Sequence, residues 1–239
     1  MFGEQGIYRV SYEGPPTIFR FDMVDRARGC VAAGSIVNNG TFAAYLGGDG
    51  WYVFDGARSL PIGGQKVDKW FYADLDQNYL HRITGTIDPI NKLFFWSYPG
   101  AGNSGGTPNR LLVYNWALQR WSVAEVTCEL IHRSLSEGYT LESLDATGYT
   151  LDALPYSLDS RAWTGGSPFL SAFDPSHKLA LFNAASLAAV LETTNFALDG
   201  GNRVFVSGVR PFIDGGAPTV QIGAADTPQV APSFTRMKR

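Results

Sequence analysis

A chain of 239 residues is long enough to bury a sizeable core. Its 17% charged and 13% aromatic residues, with 27 Gly and 13 Pro, suit many short strands joined by tight turns and argue against long helices. The formal net charge of -3 excludes a chain-wide basic field of the kind that holds nucleic acid by its phosphates, and no run approaches the roughly 20 apolar residues of a membrane-spanning helix.

The opening MFGEQGIYRVSYEG lacks the basic-then-apolar profile of a signal peptide, so the chain is expected to be made in the cytoplasm and to stay soluble. Short alternating runs begin at once: IYRVSYEG (7–14), TIFRFDMV (17–24), TFAAYLGG (41–48) and WYVFDG (51–56). Each is rich in aromatic and β-branched residues and is closed by Gly, Pro or Asp, the pattern of half-buried strands in a meander. Within GGDGWYVFDG (47–56), Asp49 and Asp55 fall in the turns at either end of a strand. Alternation along it sends Trp51 and Phe54 to opposite faces, with at least one of them in the core.

In GQKVDKWFYADLDQNYLHRI (64–83) the spacing predicts one or two helical turns around VDKWFYADL, with Val67, Trp70, Phe71 and Asp74 near one face. This is a crossover between sets of strands. Strands return in TGTIDPINKLFFWSYPG (84–100) and RLLVYNWALQRWSVAEV (110–126), which are expected to pair as a long hairpin. Between them AGNSGGTPN (101–109) reads as an exposed loop with a mobile tip.

Two repeats stand out. TIDPINKLFFW (86–96) and AFDPSHKLALF (172–182) share Asp-Pro, two variable residues, Lys-Leu and an apolar run, at a separation of 86 positions. That is close to two β-propeller blades of roughly 40 to 45 residues, with the Asp-Pro turn joining two strands of a blade. GYTLESL (138–144) and GYTLDAL (148–154), followed by YSLDSRAW (156–163), predict a turn-rich traverse anchored by Leu and capped by Asp or Glu.

KLALFNAASLAAVLETTNF (178–196) has the Ala and Leu content of a helix, but its repeat partner is strand-like, and a hairpin turning at NAAS (183–186) is expected. NRVFVSGVRPFID (202–214) and TVQIGAAD (219–226) read as further strands, and TRMKR (235–239) as a solvated basic end. The pattern as a whole predicts a meandering all-β fold with blade-like repeats and a short helical crossover, and leaves open whether the blades close into a ring. A propeller-like domain spans 1–200, and a C-terminal β segment with the basic tail spans 201–239.

Residues with catalytic chemistry are present but dispersed. His81, His132 and His177 lie in no HExxH or GxSxG pattern and form no i, i+4 pair, so ordinary surface or hydrogen-bonded histidines are expected. Asp49, Asp55, Asp68, Asp74 and Asp76 could on spacing supply a glycosidase pair or a calcium cage, but no EF-hand loop is matched and turn roles are expected. Cys30 and Cys128 read as buried free thiols.

The glycine-rich pieces LGGDG, IGGQK and WTGGSP lack the order of a phosphate-cradling loop. The tryptophans at 51, 70, 96, 116, 121 and 163 are spread across strands, which suits blade packing while leaving a sugar-binding groove open. No catalytic, cofactor-binding or metal-ligating residue is assigned, and the chain is expected not to be an enzyme.

The series GCVAAGSIVNNGTFAAYLGGDGWYVFDG, PIGGQKVDKWF, TIDPINKLFFWSYP and NRLLVYNWALQRWS resembles a family of tailed-bacteriophage virion proteins of the tail or head-to-tail junction. The likeness continues in SLDSRAW, HKLALF, LAAVLET and VSGVRPFID and so covers most of the chain. It implies a propeller-like domain similar in outline to the nozzle or packaged-DNA-stabilisation proteins of short-tailed phages. Such proteins form a homo-oligomeric ring around the DNA channel, meet other tail, neck or portal proteins, let DNA pass through the lumen, and end up in the virion. This chain is then a short member of that family or part of a longer protein. The competing expectations are a carbohydrate-binding or glycan-hydrolysing β-propeller, using Trp and Tyr platforms with a carboxylate pair, and a plain interaction propeller of a bacterial host.

Overall fold

The computed structural model describes residues 1–64, 66–135, 138–146, 148–153, 163, 165–166, 168–182, 187–193, 205–206, 208, 219–225 and 232–236. Contacts divide the chain into two units, Met1–Ala184 and Ala185–Arg239. The expectation of an all-β chain holds in the form of several antiparallel sheets with few helices.

In the first unit, β1 (Ile7–Tyr12) and β2 (Phe19–Asp25) form a hairpin. A four-stranded meander follows, built from β3 (Val37–Asn38), β4 (Ala43–Leu46), β5 (Trp51–Phe54) and β6 (Ser59–Pro61). The second meander is β7 (Thr84–Asp88), β8 (Leu93–Tyr98), β9 (Arg110–Asn115) and β10 (Arg120–Glu125). The third sheet has β11 (Leu130–Leu135), β12 (Pro168–Phe173) and β13 (Leu179–Leu181). In all three, strands consecutive in the chain lie side by side. The predicted long hairpin is β8 with β9, from Leu93 opposite Asn115 to Tyr98 opposite Arg110.

One turn chemistry recurs at five hairpins. The side-chain oxygen of Asn39, Asp55, Asp88, Asn115 or Asp174 accepts two backbone N–H groups of the following turn. Each turn also holds one left-handed residue: Gly40, Gly56, Lys92, Gln119 and His177 respectively. An Asx side chain that mimics a backbone acceptor fixes where a strand ends and therefore its register. The two Asp-Pro repeats both form such turns but differ by one residue. Asp88 pairs with Leu93 in the first, whereas Phe173, the residue before Asp174, pairs with Leu179 in the second.

The main core lies between the first two meanders. Trp51, Phe71, Trp96, Tyr98, Phe94 and Leu112 are all fully buried in it, with the Trp51 and Trp96 ring centroids 4.3 Å apart. Two indole N–H groups of the second sheet reach backbone carbonyls beside the first: Trp96 donates to Ser35 O at 2.7 Å and Trp121 to Ile62 O at 3.1 Å. On the far side of the second sheet, Phe95 and Leu111 pack with Cys128, Ile131 and Ala172 of the third-sheet region. Trp51 and Phe54 do face opposite ways: Trp51 enters the main core, and Phe54 meets Phe2 at 5.9 Å.

The crossover helix is α1 (Asp68–Asp74), and its buried line is Val67, Phe71 and Leu75. Trp70, expected on that face, is instead 45% exposed. The i, i+4 line that runs through Phe71 is filled by Val67 and Leu75, which turns position 70 outward. The predicted traverse contains α2 (Leu141–Asp145) and a 3-10 turn at Leu151–Ala153. Its cap is not acidic: the Thr140 hydroxyl accepts from Ser143 N and the Ser143 hydroxyl accepts from Thr140 N, a reciprocal capping box.

The expected hairpin over 178–196 is found only as its first strand, β13, while the turn at 183–186 lies outside the described residues. Residues 187–193, the first described residues of the second unit, form neither strand nor helix. Val190 and Leu191 are 92% and 95% exposed, so no burial of an apolar face is available to order either one. Most of 202–214 and the stretch 154–162 also lie outside the described residues. Within the second unit, β14 (Gln221–Ala224) pairs with β15 (Ser233–Arg236). The basic end is thus not wholly free, because Thr235 and Arg236 are ladder residues.

Candidate functional site

The five aspartates weighed from sequence separate into three places. Asp55 stays at its turn, where the N–H groups of Arg58 and Ala57 hold its carboxyl below the usual range. Asp49 and Asp68 are brought near each other at the start of β5. Asp49 accepts the Tyr52 hydroxyl at 2.7 Å, and Asp68 accepts Trp51 N at 3.1 Å. The Asp68 carboxylate is wedged between Gly50 and Gly63, where a Cβ at either position would collide with it. Burial pushes its carboxyl up, the Trp51 N–H opposes that shift, and the Asp49 charge adds to it.

Both neighbouring phenols are donors. Burial, then the hydrogen bond to Asp49, pushes Tyr52 up to about 12, and burial raises Tyr72, whose hydroxyl donates to Gly47 O at 2.7 Å. Beside this cluster lies an open pocket of about 240 Å³ lined by Glu4, Arg28, Gly29, Val31, Gly48 and Asp49 among others. The Arg28 guanidinium sits 4.3 Å over the Tyr52 ring. Charges of both signs line this pocket, so it offers no single-sign field to an ion.

The third place is the platform beneath the loop 101–109. Asp74 accepts the Tyr98 hydroxyl at 2.9 Å and Ala101 N at 3.2 Å and lies 3.6 Å from Arg110 Nε. Asp76 accepts Asn103 Nδ2 at 3.1 Å and Asn78 N at 3.1 Å. Asn103 accepts Gly106 N, and Asn109 accepts Gly100 N and donates to Ala101 O. Gly106 and Pro108 are buried. The segment read from composition as a mobile loop is therefore pinned to the crossover through Ala101 and Asn103 and tied across its own base by Asn109.

Hydrogen bonds from Asn103 and Asn78 hold the Asp76 carboxyl below its usual range. A depressed folded value contributes stability above the unfolded carboxyl pKa of about 4, and the contribution is lost as pH falls through the lower folded value. The protection of the amides of 101–109, relative to the unfolded chain at the same pH, is thus expected to be unchanged from neutrality to about pH 5 and to fall only below about pH 4. A fall in protection that begins near pH 6 would point to a histidine instead.

The other candidates take bland positions. His81 is exposed and His177 is a left-handed turn residue, whereas His132 stacks on Phe173 at 5.1 Å with its buried Nδ1 lacking a hydrogen-bond partner among the described residues, against the expectation of a surface or hydrogen-bonded ring. Cys30 and Cys128 are buried free thiols in separate clusters, with burial pushing Cys128 up to about 11. Among the described residues no group of three or more His, Cys, Asp or Glu is placed to hold a metal ion. No described helix is long and apolar enough to cross a membrane. Trp51 and Trp96 are fully buried, which removes these two rings from any sugar-stacking platform, and Trp116 and Trp121 are partly buried against their cluster.

Sequence reasoning missed Arg28 over Tyr52 and the pinning asparagines. The first left no local signal, since the partners are 24 positions apart. Asn103 and Asn109 were visible but counted as flexible-loop composition. No protein-family model matches the chain, and no curated protein matches it significantly.

Proposed function

We propose that this chain is a non-enzymatic structural protein of a tailed-bacteriophage virion, in the tail or head-to-tail junction. It assembles with copies of itself as a ring around the DNA channel, meets other tail, neck or portal proteins, and supports genome retention and delivery. The observation that carries this reading is the succession of antiparallel meanders β3–β6, β7–β10 and β11–β13, which the reading takes as blades. The first four segments that resemble the virion family fall on the first two of these units and the stretches next to them, and HKLALF covers β13 of the third.

The mechanism is mechanical. Asx-capped turns and an aromatic core make each unit stiff, and heterologous contacts between stiff copies close into rings. A net charge of -3 suits a wall past which DNA slides without sticking. The pinned loop 101–109 gives neighbours a fixed surface and not a mobile one. Purified full-length chain, imaged by negative-stain electron microscopy and weighed by native mass spectrometry, is expected to give ring-shaped oligomers with a central opening. A chain that stays monomeric at every concentration and binds no virion component would remove this reading.

A further inference from the structure

The β1–β2 hairpin is an arm with one uncovered face. Its register places Tyr8 opposite Met23, Val10 opposite Phe21 and Tyr12 opposite Phe19, so these six side chains share a face. Apart from Tyr8, which is partly covered, they are between 40% and 71% exposed. The reverse face carries the charges, and they are paired with one another: Arg9 with Asp22 at 3.6 Å, and Arg20 with Asp22 at 2.9 Å and with Glu13 at 3.4 Å.

Only the base of the arm is fastened. Ile7 is buried with Cys30, Tyr45 and Tyr52, and Asp25 accepts Ser59 N at 3.1 Å. Beyond that point the principal contacts of β1 and β2 are with each other. A two-stranded hairpin is at best marginally stable in water, and a contiguous apolar patch of several hundred Å² on a soluble chain marks an interaction surface.

We infer that the apolar face of this arm packs against the same face of a second copy of the chain, forming a two-layer, four-stranded sandwich about a two-fold axis. Area is the first argument. Three aromatic rings with Val10 and Met23 offer on the order of 500 Å², most of one partner's share of a standard interface of roughly 800 Å² per side. Charge is the second. The face has none of its own, so stacking it on its copy buries no unpaired charge, and the ion pairs behind it leave nothing to select an acidic peptide or an anionic membrane. Tyr12 and Phe19 already meet edge to face at 5.8 Å, which leaves ridges that interdigitate with their own copy.

This contact is isologous and closes on itself, so it goes beyond the heterologous contacts of the proposed ring and does not depend on them. Sedimentation of the full chain across a concentration series tests it. The wild type is expected to reach a dimer or an even-numbered assembly, and Phe21→Lys to weaken that step by about 30-fold or more, as does loss of a central aromatic anchor. Phe19→Ser is the second variant should the first not fold. Phe21→Cys is expected to cross-link arm to arm under mild oxidation, because the native thiols Cys30 and Cys128 are buried.

A wild type that stays monomeric at 100 μM (about the upper end of such a series), a dimer untouched by both variants, or uptake of the arm by uncharged phosphatidylcholine vesicles in place of pairing each overturns the inference. Rings whose further pairing, or its absence, is the same in the wild type and in Phe21→Lys would sink the arm contact and leave the ring reading standing. An arm-dependent dimer that never forms rings would do the reverse.

Discussion

Trp96→Ala is expected to destabilise the first unit by about 4 kcal/mol or more. The residue is fully buried, lies 4.3 Å from Trp51 and 5.9 Å from Trp121 by ring centroid, and so shares the densest part of the core. Large-to-small changes of this kind cost about 3–5 kcal/mol because the surroundings relax only partly around the cavity. Here a second cost is added, since Ser35 O loses the indole N–H at 2.7 Å that satisfies it, and a buried acceptor left alone costs about 1–3 kcal/mol. Whole-domain stabilities are only about 5–15 kcal/mol, so the variant sits near the edge of folding.

Trp70→Ala is the internal comparison. Its ring is 45% exposed, and removing it is expected to change stability by no more than about 1 kcal/mol. Urea titration followed by circular dichroism reads both variants. Equal losses in the two would contradict the burial assigned to α1, and a loss below about 2 kcal/mol for Trp96→Ala would contradict the core.

These two tryptophans also show what the sequence could and could not convey. Strand alternation placed Trp51 and Phe54 on opposite faces, because side-chain direction in a strand depends only on parity. Helical periodicity is weaker evidence over seven residues. Positions 67, 70, 71 and 74 and the line 67, 71 and 75 fit the same short segment, and only tertiary packing chooses between them. The Asp-Pro repeat correctly marked two hairpin turns but hid a one-residue difference in register, since register depends on which residue takes the left-handed conformation, Lys92 in one and His177 in the other.

The polar platform was the least legible part. Asp74 and Asp76 lie near each other in the sequence, but Tyr98, Asn103 and Arg110 reach them only through the fold. Glycine and asparagine in 101–109 have the composition of a loose loop. The same residues make a tight one when carboxylates are waiting beneath them.

Asp74→Ala is expected to cost about 3 kcal/mol and to release that loop. The carboxylate is only 12% exposed and serves three partners: the Tyr98 hydroxyl, Ala101 N and Arg110. Truncation leaves a buried phenol and a backbone N–H without their acceptor, at about 1–3 kcal/mol for each group that cannot reach water. Arg110 is less affected, because Glu125 remains 2.6 Å away, so the loss falls at the lower end of the range for a broken buried pair. Asp74→Asn keeps an acceptor oxygen and should recover part of the loss. Limited proteolysis and amide exchange across 101–109 distinguish a released loop from a general loss of stability, since release speeds cleavage there before the core opens. The opposite end supplies a check on the same idea. Gly106 has φ +80 and its Cβ position runs into the Tyr79 ring, so Gly106→Ala should loosen the loop while leaving the Asp74 contacts in place. If neither variant changes exchange in 101–109, the loop is not held by this platform, and its role as a fixed contact surface in an assembly falls with it.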